Sequence, residues 1–323
     1  MINNINRISD YIDEITMLYY QSKVLENPKI SYLACLTKCL NAFLDEVPFK
    51  GENLIERNVE EILSIIDKAI QIPINEEELR KALLLLEIKA FKHKNLSFDN
   101  ITPDAVGVIF TFLIDLKKLN KNNNNLLDIT VGIGNLSFVI SNYSKNSWNI
   151  IGIEENLDFC NYLESKANFL EKSFEIRCQD TLLYNYHNVD VIVGDLPNYE
   201  YNNEFYHSEL YDLGVRNFQY LAIEKHLASG HDNTTQYYLV DNDFFTNPDS
   251  QKFKEVFSKY AYIKAIIILP TNFFKTSPKM ILVIEKNKEN IHKETNIFTF
   301  PNYQEKDKWN QTLIKIKEYM EEK

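Results

Sequence analysis

The sequence predicts an α/β protein in which a mostly parallel, doubly wound sheet follows a small all-helical domain. Two observations predict this division. Apolar residues recur at three- and four-residue spacing through residues 1–97, as in amphipathic helices. From residue 98 onward, short β-rich apolar runs alternate with amphipathic stretches, which is typical of parallel strands covered by helices on both faces. We therefore expect two domains, residues 1–97 and residues 98–323.

The charge balance limits the classes of partner. The chain has 46 acidic and 35 basic residues and a net charge of −11, whereas a protein that binds a phosphate backbone by itself normally has a basic face. DNA would therefore be bound weakly or through a partner. The apolar runs are too short to span a bilayer, and the start of the chain lacks the pattern of a secretory signal. We expect a cytoplasmic protein that does not contact membranes.

Four helices are expected in the N-terminal domain. Asn75 is a suitable N-cap for the fourth, because three glutamates follow it at the positive start of the helix. Cys35 and Cys39 lie one turn apart in the second helix and could share a metal. No histidine or second cysteine pair stands near them in the sequence, so buried thiols are the favoured interpretation and no metal is expected. The domain shows no catalytic motif, which favours packing, dimerisation or contact with a protein partner.

Seven strands are expected in the second domain, and a short connection, which ends with the sequence TSPK at the start of the last strand, joins the last two. This short connection indicates an antiparallel hairpin at the edge of the sheet. A last helix is expected in NQTLIKIKEYMEEK. The strand-like runs are NLLDI, NIIGIE, FEIRC, DVIVG, QYYLV, YIKAIIIL and KMILVIE.

Acidic residues follow the ends of four successive strands. Asp128 lies at the tip of the first run, Glu154 ends the second, Asp180 follows the third, and Asp195 follows the fourth. Because ligands of open α/β sheets bind at the carboxyl ends of the strands, the four acids are candidates for one site. Each acid taken singly is more often a helix cap or a solvated loop residue, so the prediction depends on all four together.

The first strand leads into the turn TVGIGNLSF. Gly132 and Gly134 allow a ligand to approach the backbone closely, and the following helix offers unpaired N–H groups. Ser137 stands where a dinucleotide-binding fingerprint has its third glycine, which disfavours a nicotinamide-dependent enzyme. A tight turn without a ligand remains an alternative. Glu154 lies twenty residues after Gly134, where an acid can bind ribose hydroxyls.

A threonine and a proline begin the helix that precedes the first strand. Thr102 is predicted as its N-cap and Pro103 as its first helical residue. These two residues, the sequence Asp-x-x-x-Gly-x-Gly-Asn, the acids after strands two and three, and Asp-x-Pro after strand four resemble the class I S-adenosylmethionine-dependent methyltransferases. The resemblance implies a Rossmann-like domain with a seven-stranded, mostly parallel sheet.

Within that family the chain is similar to the N6-adenine-specific DNA methyltransferases, including the modification subunits of type I restriction systems. The segments LPTNFF and KMILVIEK resemble their closing strands, and the match covers roughly residues 98–287. The helical domain resembles the N-terminal domain of a subgroup of uncharacterised bacterial relatives.

The resemblance implies S-adenosylmethionine as the cofactor and a role for each matched residue. Thr102 and Pro103 would border its methionine end, Glu154 would hold the ribose hydroxyls, and Asp180 would bind the adenine amino group. The floor under the methionine and ribose would consist of Asp128, Gly132, Gly134 and Asn135, and the catalytic loop would consist of Asp195, Leu196, Pro197 and Asn198.

That loop departs from the family pattern, Asp/Asn-Pro-Pro-aromatic. In the family, the acid or amide and a backbone carbonyl accept the hydrogens of the target amine, and the nitrogen lone pair then faces the methyl group. Asp195 and the Leu196 carbonyl would be these acceptors. The family aromatic stacks on a base that has left the duplex, and Asn198 cannot do so. Tyr199, Tyr201 and Tyr206 are the aromatic residues near enough in sequence to replace it.

Cofactor binding is therefore better supported by the sequence than base methylation. The leading hypothesis is a methyltransferase that modifies an amino nitrogen, either N6 of adenine in DNA or a diverged acceptor. A non-catalytic module that acts through protein contacts and a protein or small-molecule N-methyltransferase are the alternatives. Residues 199–214, which are polar and aromatic without a clear period, are expected to form a mobile flap over the acceptor site.

Overall fold

The computed structural model describes residues 2–45, 47–117, 119, 124–275, 277–286 and 294–321. Its contacts divide the chain into two compact units, Met1–Asn100 with Asn156–Phe174, and Ile101–Glu155 with Glu175–Lys323. Within the described ranges, no helix combines the length and the apolar composition needed to cross a membrane.

Helices and strands are numbered in chain order. The helices are α1 (Ile2–Lys23), α2 (Tyr32–Ala42), α3 (Glu56–Ala69), α4 (Glu76–His93), α5 (Asp104–Asp115), α6 (Asn135–Tyr143), α7 (Leu157–Phe169), α8 (Glu209–Asp212), α9 (Phe218–His226), α10 (Ser250–Phe257) and α11 (Lys306–Glu321). The strands are β1 (Asn124–Asp128), β2 (Trp148–Glu154), β3 (Phe174–Cys178), β4 (Val189–Asp195), β5 (Gly230–Asp241), β6 (Ala261–Ile268), β7 (Lys279–Lys286) and β8 (Asn296–Thr299).

The first unit consists of α1 to α4 and α7. Asn75 caps α4 as predicted: its side-chain oxygen accepts the Glu78 backbone N–H at 2.9 Å, and the Glu78 carboxylate accepts the Asn75 backbone N–H at 3.1 Å. This reciprocal capping box satisfies two backbone donors at the helix start. Cys35 and Cys39 are both buried in α2.

Helix α7 packs in this unit through a buried ion pair. Lys166 Nζ lies 2.5 Å from Glu87 Oε1, and both side chains are fully buried. The Tyr162 hydroxyl donates to the same Glu87 oxygen at 2.7 Å, and the Phe159 ring stacks on Phe91 with centroids 5.7 Å apart. The sequence placed this segment in the second domain because it stands between two strands. It clusters with the helical unit instead, since its buried charge and its aromatic ring have their partners in α4.

The second unit is built on an eight-stranded sheet with the order β3-β2-β1-β4-β5-β7-β6-β8. β1 pairs in parallel with β2 and β4, β4 pairs in parallel with β5, and β7 runs antiparallel to β5 and β6. All seven expected strands are present. β8, which pairs in parallel with β6, is an eighth that the sequence did not predict. β8 is short and mostly exposed, so no apolar run marks it in the sequence. Because β8 forms the edge of the sheet, the β6–β7 hairpin does not lie at the edge, contrary to the prediction.

Helices cover both faces of this sheet. Successive residues of a strand point to opposite faces, and Tyr237 and Tyr238 of β5 show the consequence. The Tyr238 ring belongs to a buried apolar cluster that includes Leu221 of α9 and Phe253 of α10. The Tyr237 hydroxyl lies on the other face, 3.4 Å from the Leu113 carbonyl of α5. The two faces together bury β5 continuously from Thr234 to Val240.

The segment 199–214 contributes to the apolar cluster, which differs from the expectation of a loose flap. Tyr201, Tyr206 and Leu210 are buried within it. The Tyr201 backbone N–H donates to the Arg216 carbonyl at 2.7 Å. The segment has no clear period in the sequence because its buried residues come from turns and the short helix α8 rather than from one regular element.

Lys166→Met is expected to lower the free energy of unfolding by about 3–5 kcal/mol, because it leaves the buried Glu87 carboxylate without its cation. Adding Glu87→Gln should recover most of the loss, since both charges are then absent. Urea unfolding measures both changes. The matched control is Lys172→Met, which removes the more exposed ion pair with Glu76 and should cost less than about 1 kcal/mol. A loss for Lys166→Met as small as that of the control would contradict the prediction.

Candidate active site

The four acids singled out in the sequence lie at the same edge of the sheet. Asp128, Glu154 and Asp195 are the last residues of β1, β2 and β4, and Asp180 follows the end of β3 by two residues. These strands are neighbours in the order β3-β2-β1-β4. Their carboxyl ends therefore form one acidic edge, which is the place where open α/β sheets bind ligands.

Asp128 is almost completely buried at this edge. Ser137 Oγ donates to its Oδ2 at 2.6 Å and the Thr130 backbone N–H donates to its Oδ1 at 3.3 Å. Burial raises the pKa of Asp128 to about 7, and the charges of Asp195 and Glu154 act in the same direction, while the two hydrogen bonds oppose the shift. Ser137, which stands at the position of the missing third glycine, thus donates to the carboxylate at the end of β1.

The glycine turn after β1 leaves open space beside its backbone at Gly132. Gly132 and Gly134 have φ values of 54° and 85°, in the left-handed region that favours glycine. A Cβ atom added at Gly132 would meet no heavy atom within 4 Å, so a ligand can approach the chain here. The Gly132 N–H donates to Glu154 Oε2 at 3.1 Å, which ties the turn to the end of β2.

The start of α5 reaches the same edge, but not as predicted. Pro103 is at the N-cap position and Thr102 precedes it, so Thr102 does not cap the helix. Its hydroxyl donates instead to Asp195 Oδ2 at 2.8 Å, a bond strengthened by the charge of the acceptor. Asn135, the first residue of α6, donates from Nδ2 to the Thr102 carbonyl at 2.6 Å and to Asp104 Oδ1 at 3.0 Å.

Asp180 is held by two donors. The Leu182 backbone N–H donates to its Oδ1 at 2.8 Å, and the Tyr201 hydroxyl donates to its Oδ2 at 2.6 Å. Tyr201 is 7% exposed, and burial followed by the bond to Asp180 raises the pKa of its hydroxyl. Asp180 is therefore fixed by a tyrosine that follows the loop from Asp195 to Asn198, a contact that the sequence did not predict.

Of the three tyrosines near Asn198, only Tyr199 presents a large exposed surface. Its side chain is 40% exposed and its ring stacks on Phe218 with centroids 4.7 Å apart, whereas Tyr201 and Tyr206 are buried. Burial, and then the charges of Glu155, Asp180 and Glu154, raise the pKa of Tyr199. Tyr199 thus lies within electrostatic reach of the acidic edge.

Hydrogen bonds to other parts of the chain engage Asp195, Leu196 and Asn198 in the loop from Asp195 to Asn198. Asp195 Oδ1 accepts Lys279 Nζ at 2.7 Å, and the Leu196 carbonyl accepts the buried Gln219 side-chain amide at 2.8 Å. Asn198 donates from Nδ2 to Asp241 Oδ2 at 2.9 Å. The Leu196 side chain, which stands at the position of the first proline, is buried, while the following Pro197 is exposed.

Sequence reasoning did not find Lys279 or Gln219. Lys279 is the first residue of β7, and because β7 runs antiparallel to β5, its start lies at the edge where the parallel strands end. That direction was the available signal, since the short TSPK connection already predicted a reversed strand. Gln219 lies in α9, whose buried face contains mostly apolar residues, and no pattern distinguished it.

No family model matches the sequence. The uncharacterized protein YtxK of Bacillus subtilis (strain 168) is 26% identical over 255 residues, which are 75% of this chain and 75% of YtxK. Among solved structures, a proposed class I S-adenosylmethionine-dependent methyltransferase of Listeria monocytogenes superposes with a TM-score of 0.85 at 21% identity, over 99% of this chain and 100% of that chain. This protein has the fold of the class I methyltransferases.

A second solved structure, the methyltransferase subunit of a type I restriction-modification system of Streptococcus thermophilus, superposes with a TM-score of 0.67 at 15% identity. The match covers 94% of this chain and 74% of that subunit. This chain therefore shares its fold with a protein of the branch that the sequence resembles. At these identities the comparison concerns the fold alone.

Asp128→Asn is expected to remove a pH dependence of stability. The pKa of Asp128 is about 7 in the folded protein, against about 4 in an unfolded chain, so folding retains a proton. The contribution of protonated Asp128 to the free energy of unfolding is fully present below pH about 4 and is lost as the pH rises to about 7.

Thermal unfolding of wild type and Asp128→Asn measures this effect. The melting temperature of wild type relative to the variant should be higher at about pH 5 than at about pH 8. Asp10→Asn, on an exposed side chain of α1, is the matched control. An equal difference at both pH values would show that Asp128 does not retain its proton on folding.

Proposed function

We propose that this protein binds S-adenosylmethionine at the acidic edge of its sheet and transfers the methyl group to an amino nitrogen. The observation that supports this function is the set of four carboxyl groups beside a glycine turn with open space at Gly132, on a class I methyltransferase fold. The acceptor is either N6 of adenine or a diverged amine.

The residues at this edge suit the cofactor chemically. The ribose hydroxyls and the adenine amino group are hydrogen-bond donors, and Glu154 and Asp180 offer carboxylate oxygens, each with two lone pairs. The open backbone at Gly132 leaves room for the methionine end, and Thr102, Pro103, Asp128, Gly134 and Asn135 border the same turn. When bound, S-adenosylmethionine supplies an electrophilic methyl group attached to a sulfonium sulfur.

The chain's own contribution to transfer is the orientation of the acceptor amine. An amine bonded to an aromatic ring is a poor nucleophile because its lone pair is delocalised. Asp195 and the Leu196 carbonyl would accept the two amine hydrogens and direct the lone pair outward. The hydrogen bond from the Thr130 hydroxyl to the Asp195 backbone carbonyl and the burial of Leu196 preorganise them. Leu196, Pro197 and Asn198 would shape the loop around the acceptor.

DNA is the acceptor suggested by the type I modification subunit that shares the fold. The net charge of −11 opposes independent binding to a phosphate backbone, so DNA would be reached weakly or with a protein partner. The helical unit has exposed apolar side chains, including Leu25, Leu44 and Ile70, that such a partner could contact.

A non-catalytic role is the second candidate, and the engaged loop favours it. Both Asp195 oxygens and the Leu196 carbonyl accept hydrogen bonds from the chain itself. In that case the protein would bind the cofactor, or only keep the fold, and act through protein contacts.

Calorimetric titration with S-adenosylmethionine, with NADH as the control ligand, tests the proposed function. Micromolar binding of S-adenosylmethionine alone would support it, and labelled methyl transfer to DNA, RNA and protein would then identify the acceptor. Absence of binding at millimolar ligand would refute cofactor binding and favour a scaffold that acts through partners.

Glu154→Ala should lower the affinity for S-adenosylmethionine by about tenfold or more, which is about 1.4 kcal/mol, because the ribose hydroxyls lose their acceptor. Calorimetry of the two proteins gives the comparison. Glu255→Ala, which removes the same charge from an exposed side chain of α10, should bind like wild type. If Glu154→Ala also binds like wild type, the ribose is not held at the end of β2.

A further inference from the structure

Lys279 contacts the Asp195 carboxylate, to which the target amine would donate in the proposed function. Its ammonium nitrogen lies 2.7 Å from Asp195 Oδ1, the usual distance for a charge-assisted hydrogen bond, and the two side chains are only 9% and 12% exposed. We propose that Lys279 is a specificity-determining residue of the acceptor site: an amine must compete with its ammonium group for Asp195, which disfavours the exocyclic amino group of a base. This inference rests on the proposed function in one respect, that Asp195 faces the acceptor.

The competition favours the lysine on energetic grounds. An ammonium paired with a carboxylate forms a stronger bond than a neutral amino group, and the difference grows where water is excluded. The Lys279 nitrogen also lies 5.9 Å from the centroid of the Phe274 ring, within the range of a cation–π contact. A neutral aromatic amine would have to replace both interactions, whereas it offers only hydrogen bonds to the loop.

The backbone holds Lys279 in this place. Lys279 pairs with Asp241 at the end of β5, and its carbonyl accepts the Leu269 backbone N–H at 3.3 Å. Strands β5 and β6 therefore flank it on both sides, and only rotation of its side chain can clear Asp195. Displacement is thus a local side-chain event and does not require the sheet to change.

Two further donors complete the engagement of the loop. Thr102 at the start of α5 donates to the other Asp195 oxygen, and Gln219 of α9 donates to the Leu196 carbonyl. Among these three donors, Lys279 alone has a charge. Its removal should therefore release the acceptor site most strongly while leaving the loop anchored by Thr102 and Gln219.

Lys279→Met tests the proposal, because methionine keeps an unbranched side chain only one atom shorter and has neither the charge nor the donors. Transfer of labelled methyl from S-adenosylmethionine to a single-stranded deoxyadenosine-containing oligonucleotide should rise by about tenfold or more over wild type. The affinity for S-adenosylmethionine, measured by calorimetry on the same samples, should not change. Lys264→Met, which removes the 3.0 Å ion pair with Glu285 elsewhere in the sheet, is the matched control and should transfer like wild type.

Turnover of Lys279→Met equal to or below that of wild type, with unchanged cofactor affinity, would overturn the proposal. Absence of S-adenosylmethionine binding by both proteins would instead refute the proposed function. The contact between Lys279 and Asp195 can then still be judged without any cofactor, from the melting temperatures of Asp195→Asn, Lys279→Met and the double variant.

Asp195→Asn alone leaves the nearly buried ammonium without its anion and should lower the melting temperature. The double variant has neither charge and should melt above Asp195→Asn. Melting-temperature changes that simply add would show that the two side chains do not interact, and would overturn the proposal whatever the cofactor result. Circular dichroism at low temperature confirms that each variant is folded before the comparison.

Discussion

Parallel pairing of β1 with β2 and β4 is the constraint on which the site depends. Parallel strands end at a common edge, and in this chain each strand of that set ends in an acid. The sheet therefore concentrates negative charge in one place, whatever the loops do. The glycine turn contacts this edge through the bond from Gly132 to Glu154, and Lys279 contacts it through Asp195.

The chain stabilises that concentration of like charges with donors from separate elements. Ser137 of α6 binds Asp128, the turn N–H of Gly132 binds Glu154, and the Tyr201 hydroxyl binds Asp180. Asp128, which is the most deeply buried, has a pKa near neutrality because burial penalises its charge. Asp195 is different, because its partner Lys279 is a cation, and the two charges cancel at the position where a methyltransferase would bind its acceptor.

This difference separates the two halves of the candidate function. The proposed cofactor end has acceptors fixed by neutral donors, and a carboxylate oxygen that binds one such donor can still accept another. The proposed acceptor end has its acid neutralised by an ammonium and its carbonyl bound by a buried amide. In this chain, the absence of the aromatic residue from the loop is thus accompanied by an ion pair on the acid itself.

The local features could be predicted from the amino-acid sequence: the helical start of the chain, the seven apolar strands, the capping box at Asn75 and the acids at the strand ends. These follow from periodicity and from residue preferences over a few positions. The partners of Lys279, Gln219 and Tyr201, the grouping of α7 with the helical unit and the exposed strand β8 emerged with the three-dimensional fold. The physical reason is distance along the chain. Lys279 contacts an acid 84 residues away, and such a contact is set by strand order and direction, which no local pattern specifies.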